Sequence, residues 1–181
     1  TKVFVGTAAG HFVSTDNGNT WNANGLADYD IWGIAAAGTE VYASLKGGSV
    51  YFSSNGGASW SRTGPGLPNS PPYGMSGFAF CGPYVFAITY SDALYRSEDP
   101  STGWVPANIG LPNNNSDAYL SYSVTGIGSS FFAGSYGGVY MSTDGIHWTS
   151  FNEGLPPNAA VGGGGNQGLV VGGTHLLAIV H

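Results

Sequence analysis

A tryptophan recurs four times along the chain in the same short frame, and this repeat constrains the fold more than any other feature. Trp21, Trp60, Trp104 and Trp148 are separated by 39, 44 and 44 residues. Each tryptophan closes a frame that begins with serine and carries Asp or Asn at its third position, and a Gly-Leu pair follows four to six residues later. A period of about 40–45 residues is typical of β-propeller blades. The frames span residues 14–21, 53–60, 97–104 and 142–148.

Within one repeat, the residues predict four short strands. Short runs rich in β-branched and aromatic residues alternate with breaks rich in Gly, Asn and Asp. No window keeps an apolar period of 3.6 residues, so we expect no helix of consequence. The chain is therefore predicted to be an all-β propeller built of four-stranded antiparallel blades. In the fourth copy, the predicted strands are 123–128, 130–135, 138–142 and 147–151.

Both ends of the chain match the middle of a blade. Residues 1–5 and 174–178 each align with the second strand of a repeat, and 168–172 would be a first strand. We therefore predict a single domain that is an incomplete propeller of about four to five blades. We favour a fragment of a larger propeller or an open arc. The alternatives are closure of residues 168–180 onto the amino-terminal strands and completion by other copies of the chain through unpaired blade edges. The predicted repeats are 1–30, 31–74, 75–121, 122–166 and a partial 167–181.

The residues of the frame suit a tight turn between the third and fourth strands. Asp at the third position can accept a hydrogen bond from a backbone N–H two residues later, and Gly supplies a positive φ without steric cost. Hydroxyl groups add local bonds, and the tryptophan can bury a large apolar area between sheets. We predict that the following residues are structural and not catalytic: Ser14, Asp16, Gly18, Thr20, Trp21, Ser53, Asn55, Gly57, Trp60, Ser97, Asp99, Trp104, Ser142, Asp144 and Trp148.

The frame Ser-x-Asp-x-Gly-x-Thr-Trp resembles the Asp-box, also called the BNR or sialidase repeat. Residues 14–21 match it in full and the other three copies match it in part. The family includes sialidases, xyloglucan-active glycosidases, sortilin-type receptors, photosystem assembly factors and secreted bacterial repeat proteins of unknown role. The resemblance implies a sialidase-like propeller with its ligand site on the face opposite the boxes. It implies little about function, because one fold hosts many activities.

Composition excludes several classes of function. Charged residues make up 8% of the chain and the net charge is −6, which argues against nucleic acid or an anionic membrane as partner. The longest apolar run near the end, 176–180, is far shorter than the ~20 residues of a membrane span. Cys81 is the only cysteine, and the four histidines lack metal-ligand spacing, so we expect neither a metal nor a cofactor. Abundant Asn, Ser, Thr, Gly and Tyr resemble secreted bacterial surface proteins, and we expect a mature extracellular or cell-surface form without its signal peptide.

Catalytic sets are incomplete in this sequence. The sialidases that it resembles clamp a carboxylate with three arginines, whereas this chain has only Arg62 and Arg96. A glycosidase needs two carboxylates about 5–10 Å apart, and Asp30 could pair with Asp92 or Asp117. No spacing marks such a pair, and solvated loop carboxylates are the simpler interpretation.

Aromatic residues give the better indication of function. Trp32 is the one tryptophan outside the frames, and several tyrosines fall in loops that we expect opposite the boxes. Flat rings among Asn, Asp and Ser suit the binding of a glycan or a protein surface. We therefore predict a non-catalytic binding or adhesion module, with a structural scaffold and a glycoside hydrolase fragment as alternatives. The candidate ligand-binding residues are Tyr29, Asp30, Trp32, Tyr90, Asp92, Asp117 and Tyr119.

Overall fold

The computed structural model describes residues 2–68, 75–89, 94–112, 123–135, 137–156, 159–161 and 168–178. Within these ranges the chain forms seventeen β-strands in five sheets, and it forms no helix. Every sheet is antiparallel, and each strand pairs with its neighbours in sequence. We number the sheets as blades 1 to 5 in chain order.

Three of the five sheets have four strands. Blade 2 contains β4 (Ile31–Ala37), β5 (Glu40–Leu45), β6 (Val50–Ser53) and β7 (Ser61–Arg62). Blade 3 contains β8 (Met75–Cys81), β9 (Tyr84–Thr89), β10 (Leu94–Ser97) and β11 (Val105–Pro106). Blade 4 contains β12 (Ser123–Ile127), β13 (Ser130–Ser135), β14 (Gly138–Ser142) and β15 (Thr149–Ser150).

The two outer sheets have fewer strands. Blade 1 contains β1 (Val3–Thr7), β2 (Gly10–Ser14) and β3 (Asn22–Ala23). Blade 5 contains β16 (Leu169–Gly172) and β17 (His175–Ala178). Since β2 runs into the first frame as β6 runs into the second, β1 corresponds to the second strand of a complete blade. The same alignment makes β16 a first strand and β17 a second strand, as the sequence predicted.

Strand bounds depart most from the prediction at the outer edge of blade 4, while β12 ends one residue early, at Ile127. In blade 4, β13 and β14 have the predicted bounds, but the fourth strand keeps two residues, 149–150, of the predicted 147–151. One further bond, from Phe151 N to Val139 O, continues the pairing. The residues that precede β15 are used by the frame turn, so fewer remain for the ladder.

The sheets pack on one another in chain order through their inner strands. β4 packs on β8, β8 on β12 and β12 on β16, while β1 packs on β4. The small residues predicted for inner strands fit this crowding, since a Cβ at Gly126 would lie 3.2 Å from the Cβ of Cys81. No comparably extensive contact joins the described strands of blade 1 to those of blade 5. The sheets therefore form an arc of radially packed blades, the arrangement of a β-propeller.

The core lies between the blades. One buried cluster joins Tyr42 of blade 2 to Met75, Val85 and Trp104 of blade 3. A second joins Phe86 of blade 3 to Phe131 and Trp148 of blade 4. The apolar side chains that hold neighbouring sheets together thus include the tryptophans that close the third and fourth frames.

Candidate binding site at the loop end of the second blade

The first frame is a self-contained hydrogen-bonded turn. The Ser14 hydroxyl donates to Asp16 Oδ1 (2.7 Å) and accepts from the backbone N–H of Gly18 (2.8 Å). The backbone N–H and the hydroxyl of Thr20 donate to the two Asp16 carboxylate oxygens, at 2.9 and 2.6 Å. The main donors to Asp16 therefore lie four residues later, and not two as the sequence suggested. These bonds, led by those from Thr20, lower the pKa of Asp16 to about 2.

The second and fourth frames repeat this pattern with different chemistry. In the second frame, Asn55 Oδ1 accepts from the backbone N–H of Ser59 at 2.9 Å, so a neutral amide does the work of the carboxylate. In the fourth, Asp144 accepts from the backbone N–H of His147 at 2.8 Å and contacts its ring Nδ1 at 2.7 Å. These bonds from His147 are the largest cause that lowers the pKa of Asp144. A role that an amide can fill does not require proton transfer.

The third frame is built differently. The Ser97 hydroxyl donates to the carbonyl of Gly103 at 2.6 Å. Asp99 accepts from the backbone N–H and the hydroxyl of Ser101, two residues later, at 2.9 and 2.6 Å. This is the two-residue spacing that the sequence predicts, and it is also present in the fourth frame, where the backbone N–H of Ile146 donates to Asp144 at 2.8 Å.

The tryptophans contact the preceding blade where one is present. Trp60 Nε1 donates to the carbonyl of Asn24 at 3.2 Å, and Trp148 Nε1 donates to that of Ala107 at 2.7 Å. Trp104 and Trp148 are each 4% exposed. Trp21 is not buried between two sheets as predicted: it is 41% exposed. No described strand precedes its blade.

The loop end of blade 2 brings together three of the predicted ligand-binding residues. The strands of an antiparallel sheet alternate in direction, so the chain entering β4 and the turn between β5 and β6 lie at the end opposite the frame turn. The backbone N–H of Lys46, in that turn, donates to the carbonyl of Asp30 at 2.8 Å. The Lys46 Nζ lies 3.6 Å from an Asp30 carboxylate oxygen, and both side chains reach solvent.

Trp32 is turned outward by a β-bulge. The pairing of β4 with β5 shifts register between Ile31 and Gly33, which leaves Trp32 as the extra residue. Bulges redirect a side chain from the regular alternation of a strand, and Trp32 is 49% exposed. The corresponding strand of blade 3 has the same shift, between Met75 and Gly77. Trp32 is therefore an exposed ring on the inner strand of blade 2.

A pair of tyrosines lies beside the Asp30–Lys46 ion pair. The rings of Tyr29 and Tyr51 are 5.9 Å apart, and Tyr29 is 46% exposed. Tyr51 on β6 pairs directly with Arg62 on β7. Burial, followed by the neighbouring Tyr29, raises the pKa of Tyr51, whereas Arg62 acts in the opposite direction. The Tyr51 hydroxyl therefore stays protonated and can both donate and accept a hydrogen bond.

A groove of about 450 Å³ opens at the same end of the blade. One wall is the turn 47–50 between β5 and β6, and the other is the segment 62–68 that follows β7. Glycine and proline make up much of the lining, so main-chain atoms and the Arg62 side chain supply most of its polar character. We call the groove together with six side chains the blade 2 surface; the six are Tyr29, Asp30, Trp32, Lys46, Tyr51 and Arg62.

Sequence reasoning found half of these side chains. Lys46, Tyr51 and Arg62 were not among the candidates, because only the register of β5, β6 and β7 places them beside Tyr29 and Asp30. A signal was nonetheless present, since two of the four Lys and Arg residues of the chain fall in this repeat. The other four candidates, Tyr90, Asp92, Asp117 and Tyr119, lie outside the described residues.

Other chemistry is sparse in the described part of the chain. No group of three or more His, Cys, Asp or Glu residues lies close enough together there to hold a metal ion. Cys81 is buried, and this burial raises its pKa to about 11, so its thiol is a poor nucleophile. The described ranges also contain no helix with the length and apolar character that a membrane crossing requires.

Comparison with known proteins locates the chain among the propellers. No protein-family model matches it, and no curated protein does. It is similar to the solved structure of YCF48 from Cyanidioschyzon merolae, with 21% identity, a TM-score of 0.53 and coverage of 80% of this chain and 50% of that one. It is also similar to the GH74 xyloglucanase from Xanthomonas campestris, with 16% identity, a TM-score of 0.55 and coverage of 82% and 28%.

A further similar structure is YCF48 bound to a D1 peptide, at 16% identity and a TM-score of 0.46, with 81% of this chain and 62% of that one covered. The chain thus spans less than two thirds of each of these three proteins. The likeness to the first two concerns the fold. The chain is an all-β propeller of four-stranded antiparallel blades.

Proposed function

We propose that this chain is a non-catalytic binding module of the Asp-box propeller type, which acts outside the cell or on its surface and holds a carbohydrate at the blade 2 surface. The observation that carries the proposal is the exposure of two aromatic rings at one end of one blade. Tyr29 and Trp32 are each nearly half exposed there, and the Asp30–Lys46 ion pair and an open groove lie at the same end of the blade. The low charge and polar composition of the chain support the location.

The chemistry of the surface suits a sugar chain. The C–H faces of a pyranose pack against flat aromatic rings, and its hydroxyls need both donors and acceptors of hydrogen bonds. The blade 2 surface offers both, since Asp30 accepts, Arg62 donates and the tyrosine hydroxyls do either. Tyr and Trp each lose little conformational freedom on binding, because they have two side-chain torsions. A groove of about 450 Å³ is within the range of small-molecule sites, which is about 300–1,000 Å³.

Two features support binding without catalysis. The Asp30 carboxylate has an ammonium group as its neighbour at 3.6 Å, whereas a glycosidase needs a second carboxylate about 5–10 Å away. The carboxylates of Asp16, Asp99 and Asp144 are occupied by the turns that they stabilise. Asp92 and Asp117, which could have paired with Asp30, lie outside the described residues. No specific observation favours the hydrolase.

Binding to immobilised glycans and soluble polysaccharides tests the proposal. We expect Trp32→Ala and Tyr29→Ala to weaken binding about tenfold or more, which corresponds to a loss of about 1.4 kcal/mol. Val170→Ala removes exposed apolar area from β16 of blade 5, which packs on blade 4, and serves as the control. If no glycan binds, or if both aromatic variants bind as the unaltered chain does, the proposal is wrong. Release of reducing ends that Asp30→Asn abolishes would instead indicate a hydrolase.

A further inference from the structure

His11 lies at the joint between blades 1 and 2, and its side chain is 0% exposed. It is on β2, where it pairs with Gly6 of β1. Within blade 1 its ring stacks on Phe4, with ring centroids 5.6 Å apart, and on the side of blade 2 it meets the edge of Trp60 at 5.0 Å. A Cβ at Gly57 of the second frame would lie 2.5 Å from His11 Cε1. The two blades therefore enclose the imidazole.

The same position is aliphatic in the next three blades. The strand that leads into each frame ends at a serine, and the residue three places before that serine is His11 in β2, Val50 in β6, Leu94 in β10 and Val139 in β14. All four side chains are buried, with at most 4% of their surface exposed. Blade 1 thus has a titratable ring where the following blades have an apolar core residue.

The hydrogen bonds of this joint meet at Asn24. Its carbonyl accepts from His11 Nδ1 at 2.8 Å and from Trp60 Nε1 at 3.2 Å, while its side-chain amide donates to the carbonyl of Gly56 at 3.0 Å. Because a carbonyl can only accept, Nδ1 carries the proton of the neutral ring and Nε2 has the free lone pair. His11 Nε2 is buried and has no hydrogen-bond partner among the described residues.

A second proton on this ring would have no favourable surroundings. Protonation at Nε2 creates a positive charge and an N–H donor in a place that water does not reach, and both are costly without a partner. The rings of Phe4 and Trp60 attract a cation, but they offer Nε2 no acceptor. Burial is the larger cause of the shift and lowers the pKa of His11, whereas the bond to the Asn24 carbonyl raises it. The closed joint therefore accommodates the neutral ring.

No described carboxylate compensates the charge, since none forms an ion pair with this ring. The second frame and β4 contain no charged residue. On the other elements of the joint, Lys2 precedes β1, Asp16 follows β2, Asp28 follows β3 and Glu40 opens β5. The Asp16 carboxylate is already bonded within its own turn. Lys2 Nζ lies 3.0 Å from where a Cβ at Gly56 would be, and this like charge opposes an imidazolium.

We infer that His11 makes the joint between blades 1 and 2 sensitive to pH: in mild acid its Nε2 takes a proton from solvent, and blade 1 separates from blade 2. Opening lets water hydrate the imidazolium and supply the missing acceptor. Val50, Leu94 and Val139 lie in the apolar clusters of the next three joints, and none of them can take a proton. The response is therefore confined to the first joint.

The direction of the response follows from the two states of the ring. In the open joint His11 reaches water and recovers the ordinary pKa of 6.5, whereas in the closed joint its pKa is lower. The stabilisation that the neutral ring gives the closed joint is therefore complete above pH 6.5, and it is lost as the pH falls towards the closed-state value. Within this window, the equilibrium constant for opening rises up to about tenfold per pH unit.

Hydrogen exchange at about pH 7 and pH 5 tests the inference, with rates expressed as protection factors so that the intrinsic pH dependence of exchange cancels. A small sheet without its neighbour is only marginally stable. We therefore expect protection in β1 and β2 to fall at least tenfold in acid relative to β9 and β13. His11→Leu supplies the residue of blade 3 and should abolish this fall. His147→Gln removes an exposed histidine and should preserve it.

NMR titration of the His11 ring in the unaltered chain gives a second readout, which decides the matter even where His11→Leu does not fold. We expect its midpoint below 6.5, together with the loss of protection in blade 1. A ring that titrates while blade 1 stays protected, an equal loss of protection in blades 1 to 4, or a fall that persists in His11→Leu would overturn the inference. Neither readout involves the blade 2 surface, so the result is independent of glycan binding.

Discussion

Trp21 and Trp148 close two copies of the same frame, yet Trp21 is 41% exposed and Trp148 only 4%. The turns behind them are equally well formed. Ser14 donates to Asp16 at 2.7 Å, and Ser142 donates to Asp144 at 3.0 Å. Trp148 is buried because blade 3 covers it, whereas no described strand covers Trp21. Local bonds are therefore enough to hold the turn of the first frame, whereas Arg96 of blade 3 also donates to the Asp144 carbonyl in the fourth. The burial of each tryptophan depends on the neighbouring blade.

The largest expected effect is the difference between Trp148→Ala and Trp21→Ala. Trp148 packs on Phe86 and Leu94 and donates to Ala107. Its removal should lower the free energy of unfolding by about 3–5 kcal/mol, because it leaves a cavity between blades. Trp21→Ala should lower the free energy of unfolding by less than about 1 kcal/mol, because Trp21 buries little of its surface.

Urea unfolding measures the free energy of unfolding of both variants. Near-equal losses would mean that the indole matters to the turn itself. The conclusion that the tryptophan stabilises the fold only through its contact with the neighbouring blade would then be wrong.

A smaller effect is expected from Gly110→Ala compared with Gly154→Ala. Both glycines have a φ between +83° and +89°, so alanine at either position costs about 1–2 kcal/mol of backbone strain. At Gly110 the new methyl group also clashes with the backbone of Trp148. This clash should lower the free energy of unfolding by about a further 1–3 kcal/mol. Thermal unfolding of the pair isolates the second contribution. An equal loss of stability at both positions would show that the Trp148 backbone shifts away from the new methyl group at no cost in free energy.

The repeating fold could be predicted from the sequence because its determinants are local. The spacing of the tryptophans and the alternation of apolar runs with Gly, Asn and Asp predicted four-stranded blades, and this prediction is confirmed. In blade 4, the observed strand bounds differ from the predicted ones by two residues at most. The short fourth strands were not foreseen, because the turn and the ladder compete for the same residues after the frame.

The environment of each residue could not be predicted in the same way. The exposure of Trp21 depends on which sheet stands before it, and the frame contains no information about this. The pairing of Tyr51 with Arg62 depends on strand register. The exposure of Trp32 depends on a bulge beside Gly33, and a glycine in a strand suggests a bulge without showing which side chain it turns outward. The sequence could name aromatic candidates, but only the packed sheets bring Tyr29, Asp30 and Lys46 to one surface.

The smallest effect sharpens the local half of the comparison. The pKa of Asp16 is lowered to about 2 from a model-peptide value of 3.8 by its turn bonds, whereas Asn55 fills the same position in blade 2 without a titrating proton. Because the folded value lies below the unfolded one, the stabilisation from the Asp16 carboxylate is present above pH 3.8 and is lost as the pH falls towards 2.

Asp16→Asn should therefore reduce the steepness with which stability falls between pH 4 and 2, and Asn55→Asp should increase it. Asp99 and Asp144, whose pKa values are also lowered, should maintain a residual slope in the first variant. Carboxyl NMR titration of the folded chain checks the cause directly. An Asp16 that titrates near its ordinary value would show that the first frame is held by the Ser14 hydroxyl and the backbone, with no contribution from the charge.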